Sequence, residues 1–327
     1  MKVKSKKAEV KVAKVAKVAK VASVLAALCA VALSAAAPRS LPRTPDGHPD
    51  LQGIWSNDTV TMLERPSRFG EKEVFSEQEA IEYERDLVGR WKDRFGDLEL
   101  TTTGELSPEW QEHGAVVPGR RTSLIVDPSN GKVPLKPEVR ARAQARAAEL
   151  EAHPADDPEA RTLYERCLIG SGGPPMMPPV YNQNLQIVQT RDHVLIVTEM
   201  IHDARVVRMN AAHLPPAIRL WMGDSVGRWD GDTLVVDTTN FTGKTRWRQS
   251  GEGLHVVERF TPESGARIRY DFAVEDAETY TQTWSGRLWI TRTTGAIYEY
   301  ACHEGNYAMA GILRGARAEE RKNRGER

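Results

Sequence analysis

The residues best suited to proton transfer in this sequence lie in the segment EMIHDAR at 199–205. Asp203 follows His202 directly, and a carboxylate beside an imidazole raises its basicity, so His202 is a candidate general base that Asp203 orients. Glu199 is a candidate acid, although it shares a side with His202 only if a strand ends or bulges between them. Arg205 could hold an anionic group or a developing oxyanion. The alternative is a turn in which Asp203 pairs with Arg205.

A second group of reactive residues, Cys302, His303 and Glu304, lies near the C-terminus within YACHEGNY. On a strand, adjacent side chains face opposite sides, so at most two of the three could share one site. We interpret His303 and Glu304 as candidates for acid–base catalysis, and we expect His303 to face the segment 199–205. The alternative is a C-terminal strand without chemistry, which a disulfide through Cys302 holds in place.

A third segment, WMGDSVGRWDGD, supplies candidates for contacts with a small molecule. We predict that Trp221, Arg228 and Trp229 bind such a ligand, together with Tyr181 at the start of the strand-rich half. The Asp-Gly pair at 230–231 is a strong hairpin signal, so the acids around it are interpreted as turn residues.

Metal and cofactor motifs are absent from the sequence. His202, His255 and His303 could meet inside a barrel, but no H-E-x-x-H or H-x-H spacing occurs, so we predict no bound metal. The sequence also contains no P-loop and no dinucleotide-binding fingerprint. We therefore expect chemistry without a cofactor.

Residues 1–37 have the composition of an export signal. Residues 1–20 carry eight lysines and one acid, and the apolar stretch 21–33, too short to span a bilayer comfortably, precedes an expected cleavage near Ala36. A basic amphipathic tail and an uncleaved anchor are the alternatives. Removal of these residues leaves a net charge of about −7, which disfavours nucleic acid as a partner. We expect a periplasmic or secreted protein whose mature chain has no membrane span; its oligomeric state is left open.

Two cysteines, Cys167 and Cys302, remain after such a cleavage. Neither belongs to a C-x-x-C pair, and a pair of cysteines in an exported protein forms a disulfide more often than a metal site. The sequence therefore predicts a Cys167–Cys302 disulfide. Cys302 would then not be a nucleophile.

The mature chain divides into three segments by composition: a mixed N-terminal segment at 38–180, a strand-rich segment at 181–310 and a charged tail at 311–327. A capping box, a stretch rich in Gly, Pro and Met, and runs of alternating apolar residues predict the elements within them. The expected elements of the first segment are a strand at about 51–56, helices at 76–94, 138–151 and 156–168, and a Gly/Pro/Met loop at 170–179.

From residue 181 onward, short runs with period-two alternation are separated by turn signals. About nine strands are expected, the last of them at 296–300. Many short strands joined locally favour an antiparallel up-and-down barrel, or alternatively a sandwich, with a helical insertion in the N-terminal half. The fold class is therefore predicted to be mainly β.

Four longer motifs resemble those of a known, largely uncharacterised family of exported bacterial proteins. The match covers most of residues 45–310, and the motifs are PDGHPDLQGIW, EMIHDAR, GDSVGRWDGDTLVVDTTNF and CHEGN. Because no activity defines this family, the resemblance implies export and little more about function. In addition, Gly53-Ile54-Trp55 resembles the Gly-x-Trp that opens lipocalin-like (calycin) barrels, from which the long insertion before Tyr181 departs.

Two classes of function fit these features. The first is an exported barrel that binds a small, mostly apolar molecule and performs acid–base chemistry as an isomerase, cyclase, lyase or hydrolase. The second is a ligand-binding or cell-envelope interaction protein without catalysis, in which the same charges only pair with one another. The sequence does not identify the ligand.

Overall fold

The computed structural model describes residues 41–95, 114–170, 172–179 and 181–325. The export signal predicted at 1–37 lies outside these ranges. The residues from Pro42 onward form one compact unit, as their mutual contacts show. Among the helices of the described ranges, none combines the length and the hydropathy needed to cross a bilayer.

Nine strands close into a barrel in the order β1-β3-β4-β5-β6-β7-β8-β9-β10, because β10 pairs with β1. A tenth strand, β2, pairs with β10 beside the closed ring. The predicted mainly β barrel is thus confirmed. The strands are β1 Gly53–Ser56, β2 Ile125–Asp127, β3 Asn184–Gln189, β4 His193–Thr198, β5 Ala204–Met209, β6 Asp224–Asp230, β7 Thr233–Thr239, β8 His255–Ser264, β9 Arg267–Glu275 and β10 Trp284–Arg292.

One pairing departs from the predicted up-and-down order. Strands β5 and β6 are parallel, whereas the other neighbours in the ring are antiparallel. A parallel pair needs a connection that returns along the sheet. Residues 210–223 make that return, so β6 starts at the same end of the barrel as β5.

Side chains from alternate strand positions fill the barrel interior. On β9 the buried positions are those predicted from period-two alternation, Ile268, Tyr270, Phe272 and Val274. Gly286 of β10 lies opposite Phe272, and a Cβ there would come within 2.2 Å of the Phe272 ring. A glycine is therefore required at this position by close packing.

A charged pair is enclosed in the interior. Two nitrogens of Arg205 donate to the Glu258 carboxylate at 2.5 and 3.0 Å, and the Tyr270 hydroxyl donates to it at 2.6 Å. Arg205 is 3% exposed and Glu258 is fully buried. Burial alone would lower the pKa of Arg205, but the Glu258 carboxylate outweighs it and raises that pKa above its usual value. Such a pair is costly to break because one charge would be left buried alone.

Within the described ranges, three α-helices lie outside the barrel: α1 Glu77–Phe95, α2 Pro137–Ala152 and α3 Tyr307–Asn323. The predicted capping box begins α1, since the Ser76 N–H donates to the Glu79 carboxylate at 2.8 Å and the Glu79 N–H donates to the Ser76 hydroxyl at 3.2 Å. Helix α2 agrees with the prediction for 138–151. Helix α3 begins before the charged tail predicted at 311–327 and continues into it.

Two predicted elements do not form. Between 156 and 168 the chain makes only a short 3₁₀ turn at Pro158–Ala160 followed by further turns. Residues 296–300 are not a strand. The physical reason is that β10 already pairs with β9 along one side and with β1 and β2 along the other, so little free edge remains on it for another strand.

One end of the barrel is covered by irregular chain. This covered end consists of the β4–β5 turn at 199–203, the β7–β8 connection at 240–254 and the β9–β10 connection at 276–283. The Gly/Pro/Met loop closes it, because Met176 is 1% exposed within the core and its N–H donates to the Tyr270 hydroxyl at 2.8 Å. The opposite end carries the short β6–β7 and β8–β9 hairpins.

Candidate ligand site at the covered end

A cavity of about 510 Å³, which we term the apolar pocket, opens at the covered end. Its wall combines three irregular segments of the chain that the barrel brings together. Aromatic and thioether side chains dominate it, as in small-molecule sites generally. The lining residues used below are Tyr164, Met177, Tyr181, Met200, Trp247 and Arg248.

Trp247 forms the rigid part of this wall. Its ring is stacked on that of Trp284, with centroids 5.7 Å apart and planes 6° from parallel. Trp284 is fully buried at the start of β10, whereas Trp247 is half-buried and lines the apolar pocket. The barrel core therefore holds the indole of Trp247 in a fixed orientation, which lowers the entropy cost of binding a flat ligand against it.

Strained backbone is concentrated around the same end. Ten non-glycine residues of the described ranges have positive φ, and seven of them line a pocket or lie within two residues of a lining residue. Such conformations cost free energy and persist mainly where the surrounding structure imposes them, often at functional sites. The seven are Cys167, Asn182, Ile201, His202, Arg246, Arg248 and Gln249.

Three tyrosine hydroxyls meet at the edge of the apolar pocket, and we call them the tyrosine triangle. The Tyr300 hydroxyl lies 2.9 Å from that of Tyr164 and 3.0 Å from that of Tyr181, and the latter two are also in contact. Burial, followed by the hydrogen bonds within the triangle, raises the pKa of Tyr164 well above its usual value. Burial raises the pKa of Tyr181 to about 12. These two hydroxyls are therefore neutral at physiological pH.

A second cavity, of about 520 Å³, is lined by all three tyrosines of the triangle, and we term it the polar pocket. Tyr164 and Tyr181 line both pockets. The polar pocket is also lined by Glu165, Asn182 and Glu299. The two cavities thus share a wall but differ in chemistry.

Glu199 lies behind the polar pocket. It is 4% exposed, and its Oε1 accepts a hydrogen bond of 2.8 Å from Nδ2 of Asn182, which lines the pocket. Its Oε2 has no hydrogen-bond partner among the described residues. A predicted acid is therefore present at this end of the barrel, but Asn182 separates it from the cavity.

The predicted Cys167–Cys302 disulfide is present, with the two Cα atoms 5.8 Å apart. It lines the polar pocket and joins the segment that carries Tyr164 to the one that carries Tyr300. It therefore links the two segments whose hydroxyls meet in the tyrosine triangle. Because Cys302 is bonded, it is not a nucleophile.

His202 and His303 approach each other as expected, with ring centroids 6.3 Å apart. Both side chains are exposed, and neither lines the two pockets. Residues 302–305 form a turn rather than a strand, so the alternation argument does not apply to His303 and Glu304, which is also exposed. The catalytic roles of these residues stay predictions.

Asp203 does not orient His202. Its carboxylate accepts hydrogen bonds from the N–H groups of Gly170 at 2.8 Å and Gly172 at 3.2 Å, and among the described residues it has none with the His202 ring. Burial raises the pKa of Asp203, and the two N–H groups partly offset that effect. Asp203 therefore attaches the Gly/Pro/Met loop to the covered end.

The predicted ligand-binding residues are dispersed. Tyr181 lines both pockets, but Arg205 is enclosed with Glu258 inside the barrel and is not available to a ligand at this end. Arg228 is exposed on the outer face of β6. Trp229 stacks on His48 near the opposite end of the barrel, with ring centroids 4.7 Å apart. Trp221 lies in the connection before β6 and lines neither pocket.

His255 belongs to an outer-face cluster of alternating imidazoles and carboxylates rather than to the His202–His303 pair. Nε2 of His213 and Nε2 of His255 each lie 3.1 Å from Oδ1 of Asp237, and Nδ1 of His213 lies 3.0 Å from Asp224. No group of three or more His, Cys, Asp or Glu side chains in the described ranges is placed to hold a metal ion.

The residues that sequence reasoning missed are Tyr164, Trp247 and Tyr300. Trp247 was the one with a visible signal, since a lone tryptophan in the polar, turn-rich stretch TGKTRWRQSG is unusual for a solvent-exposed loop.

No family model matches the chain, and no curated protein matches it. A similar solved structure is the crystal structure of the fluorescent protein UnaG N57A mutant, with 14% identity over 40% of this chain and 86% of that chain. The TM-score of 0.23 is too low for this likeness to support any conclusion about the site. The family resemblance of the four sequence motifs stays a prediction.

Proposed function

We propose that this protein binds a small molecule with a flat, apolar body in the apolar pocket. The observation that carries the proposal is the indole of Trp247, held against Trp284 and lining a cavity of about 510 Å³. Cavities of roughly 300–1,000 Å³ with mostly apolar walls are typical of drug-sized ligands.

This pocket lies at one end of the barrel, whereas in a hollow barrel the ligand lies in the interior between the strands. Side chains fill the interior, so the ligand would bind across the covered end rather than among the strands. Met177 and Met200 add adaptable apolar surface beside the rigid indole of Trp247. A rigid wall with deformable neighbours suits a ligand with a planar ring and some variable substituents.

Calorimetric titration of the full chain with 3-phenylpropan-1-ol tests this proposal. We expect Trp247→Ala to weaken binding about tenfold, because an aromatic wall contributes roughly 1 kcal/mol or more beyond buried area. Trp289→Ala is the matched control, since Trp289 lies on the outer face of β10 away from the pocket.

A second variant distinguishes a direct effect on binding from misfolding of Trp247→Ala. Met177→Glu places a charge in the same wall without removing the stacked indole and should weaken binding to a similar extent. Equal affinity of wild type, Trp247→Ala and Met177→Glu, with unchanged circular dichroism, would place the ligand elsewhere and overturn the proposal.

Acid–base catalysis is a second candidate function. It is favoured by the approach of His202 and His303, which are distant in sequence, to a centroid distance of 6.3 Å at the same end of the barrel. Two imidazoles can act as base and acid near neutral pH. Turnover of any ligand identified by screening should fall at least about 100-fold in His202→Ala if His202 is the base; an unchanged rate removes it from the mechanism.

Export to the periplasm or the medium is also part of the proposal. It is supported by the basic and apolar composition of residues 1–37 and by the Cys167–Cys302 disulfide, because such bonds persist in oxidising compartments. Cell fractionation with N-terminal sequencing of the mature protein tests it. Cytoplasmic protein with an intact N-terminus would contradict it.

A further inference from the structure

We propose that the ligand carries a protonated amine, which binds in the polar pocket on the oxygens of the tyrosine triangle. This inference rests on the proposed function, since the flat body of the same ligand would occupy the apolar pocket. It assigns the chemical class of the ligand as an aromatic or otherwise flat ammonium compound.

The first argument is the shared wall. Tyr164 and Tyr181 line both cavities, so the two cavities adjoin along these side chains. A molecule bound against Trp247 can therefore extend a short chain toward the triangle.

The second argument is the hydrogen-bond inventory of the triangle. A hydroxyl has one donor and two acceptor positions. In a ring of three mutually bonded hydroxyls each O–H is already donated to a neighbour, so Tyr164, Tyr181 and Tyr300 have spare acceptors and no spare donors. An ammonium has three donors and no acceptor, which matches this set. A carboxylate or carbonyl would have to break the ring to obtain a donor.

The third argument is charge. Glu165 and Glu299 line the polar pocket, and no Lys, Arg or His is among its lining residues in the described ranges. Arg161 pairs with Glu165, whereas Glu299 has no ion pair with any described residue. The side chain of Glu199 lies behind Asn182, which lines the polar pocket. Neutral tyrosine rings at the boundary also favour a cation over an anion.

Three probes that share a 3-phenylpropyl group and differ only in their polar end group test the inference. We would titrate the full chain, with its disulfide intact, with 3-phenylpropan-1-amine, 3-phenylpropan-1-ol and 3-phenylpropanoate at pH 7. The ammonium should bind about tenfold more tightly than the alcohol, as expected for charge-assisted hydrogen bonds, and the carboxylate should bind most weakly.

Two variants assign the end group to the polar pocket. Tyr300→Phe and Glu299→Gln should each weaken binding of the ammonium about three- to tenfold and change binding of the alcohol by less than about twofold. Tyr298→Phe and Glu319→Gln are the matched controls, because both residues are exposed and line neither pocket.

The outcomes separate this inference from the proposed function. If the alcohol binds in a Trp247-dependent manner while the ammonium binds no more tightly, or the carboxylate binds best, the ammonium assignment is overturned and the apolar site stands. If Tyr300→Phe and Glu299→Gln weaken both probes equally, the end group lies elsewhere and the inference is again wrong. Absence of binding by all three probes overturns both.

Discussion

The barrel interior and the covered end both contain charged and aromatic residues, but these residues are buried and paired in the interior and partly exposed at the covered end. In the interior, the charge of Arg205 is matched by Glu258, and Tyr270 completes the set within a close-packed core. At the covered end, Tyr164 and Trp247 are incompletely buried, and Glu299 lacks an ion pair with any described residue. The backbone is regular in the first region and repeatedly left-handed in the second.

This difference shows which polar groups can act on a ligand. A buried charge that is paired inside the fold cannot bind a ligand without a large loss of free energy, because its partner would be left buried alone. Groups that retain spare acceptors or exposed faces can form new contacts at little cost. Arg205, the more conspicuous residue in the sequence, therefore belongs to the stable region, and Tyr300 belongs to the responsive one.

The largest effect should come from removing one member of the interior pair. Glu258→Ala leaves Arg205 buried without its counter-charge and should lower the free energy of unfolding by about 3–5 kcal/mol in urea titrations. Glu299→Gln at the covered end should change it by less than about 0.5 kcal/mol. The double variant Arg205→Met with Glu258→Leu should recover most of the loss. Equal effects of the two glutamate variants would remove the distinction between the regions.

The next effect concerns the covalent bond at the covered end. Cys167→Ala with Cys302→Ala should lower the free energy of unfolding by about 2–5 kcal/mol, because the denatured chain loses a long closed loop. Thermal unfolding with dithiothreitol should reproduce this loss in the wild type and have no effect on the double variant. A wild type insensitive to reduction would show that tertiary contacts alone hold the tyrosine triangle.

A smaller effect should distinguish close packing from open space. Gly286→Ala places a Cβ within 2.2 Å of the Phe272 ring and should destabilise the fold by about 1–3 kcal/mol through overpacking. Gly251→Ala at the covered end meets no atom within 4 Å and should be nearly neutral. Urea midpoints of the two variants measure the contrast, and similar midpoints would mean that the interior relaxes easily.

The smallest effect lies on the outer face and depends on pH. The hydrogen bond to Asp237 raises the pKa of His255, so its contribution is full below about pH 6.5 and is lost as pH rises through the folded value. The bond to His255 lowers the pKa of Asp237, whose contribution is lost as pH falls through its folded value. Stability should thus decline on both sides of mildly acidic pH.

The variant His255→Asn should flatten this pH dependence by less than about 1 kcal/mol, because both groups are partly exposed and screened by solvent. Urea titrations of the variant and the wild type between about pH 4 and 8 measure it, spanning the ordinary values of the two groups. An unchanged profile would assign the dependence to other residues.

Sequence patterns predicted the stable region better than the responsive one. The alternation at 268–274 predicts a strand with Tyr270 and Phe272 on one face, because a sheet face has a period of two residues. The disulfide was predictable because only Cys167 and Cys302 remain once the predicted export signal, which contains Cys29, is removed. These features follow from regular geometry or from counting.

The covered end lacks such regularity. Tyr164 and Tyr300 are separated by 136 positions and meet through irregular chain whose path no periodicity encodes. The turn at 199–203 places Ile201 and His202 in the left-handed region, which non-glycine residues rarely adopt, so Asp203 points to Gly170 rather than to His202. The spacing of residues in the sequence therefore identified the correct segment, 199–203, but not the hydrogen-bond partner of Asp203.

The Cys167–Cys302 bond has a topological consequence for the chain as a polymer. Strands β3 to β10 all lie between the two cysteines, so eight of the nine barrel strands belong to one covalent ring. A single proteolytic cut anywhere in that ring would leave both fragments joined as one molecule until a reductant acts. If the chain is exported as we propose, one proteolytic cut in a hairpin would leave the cut ends beside each other.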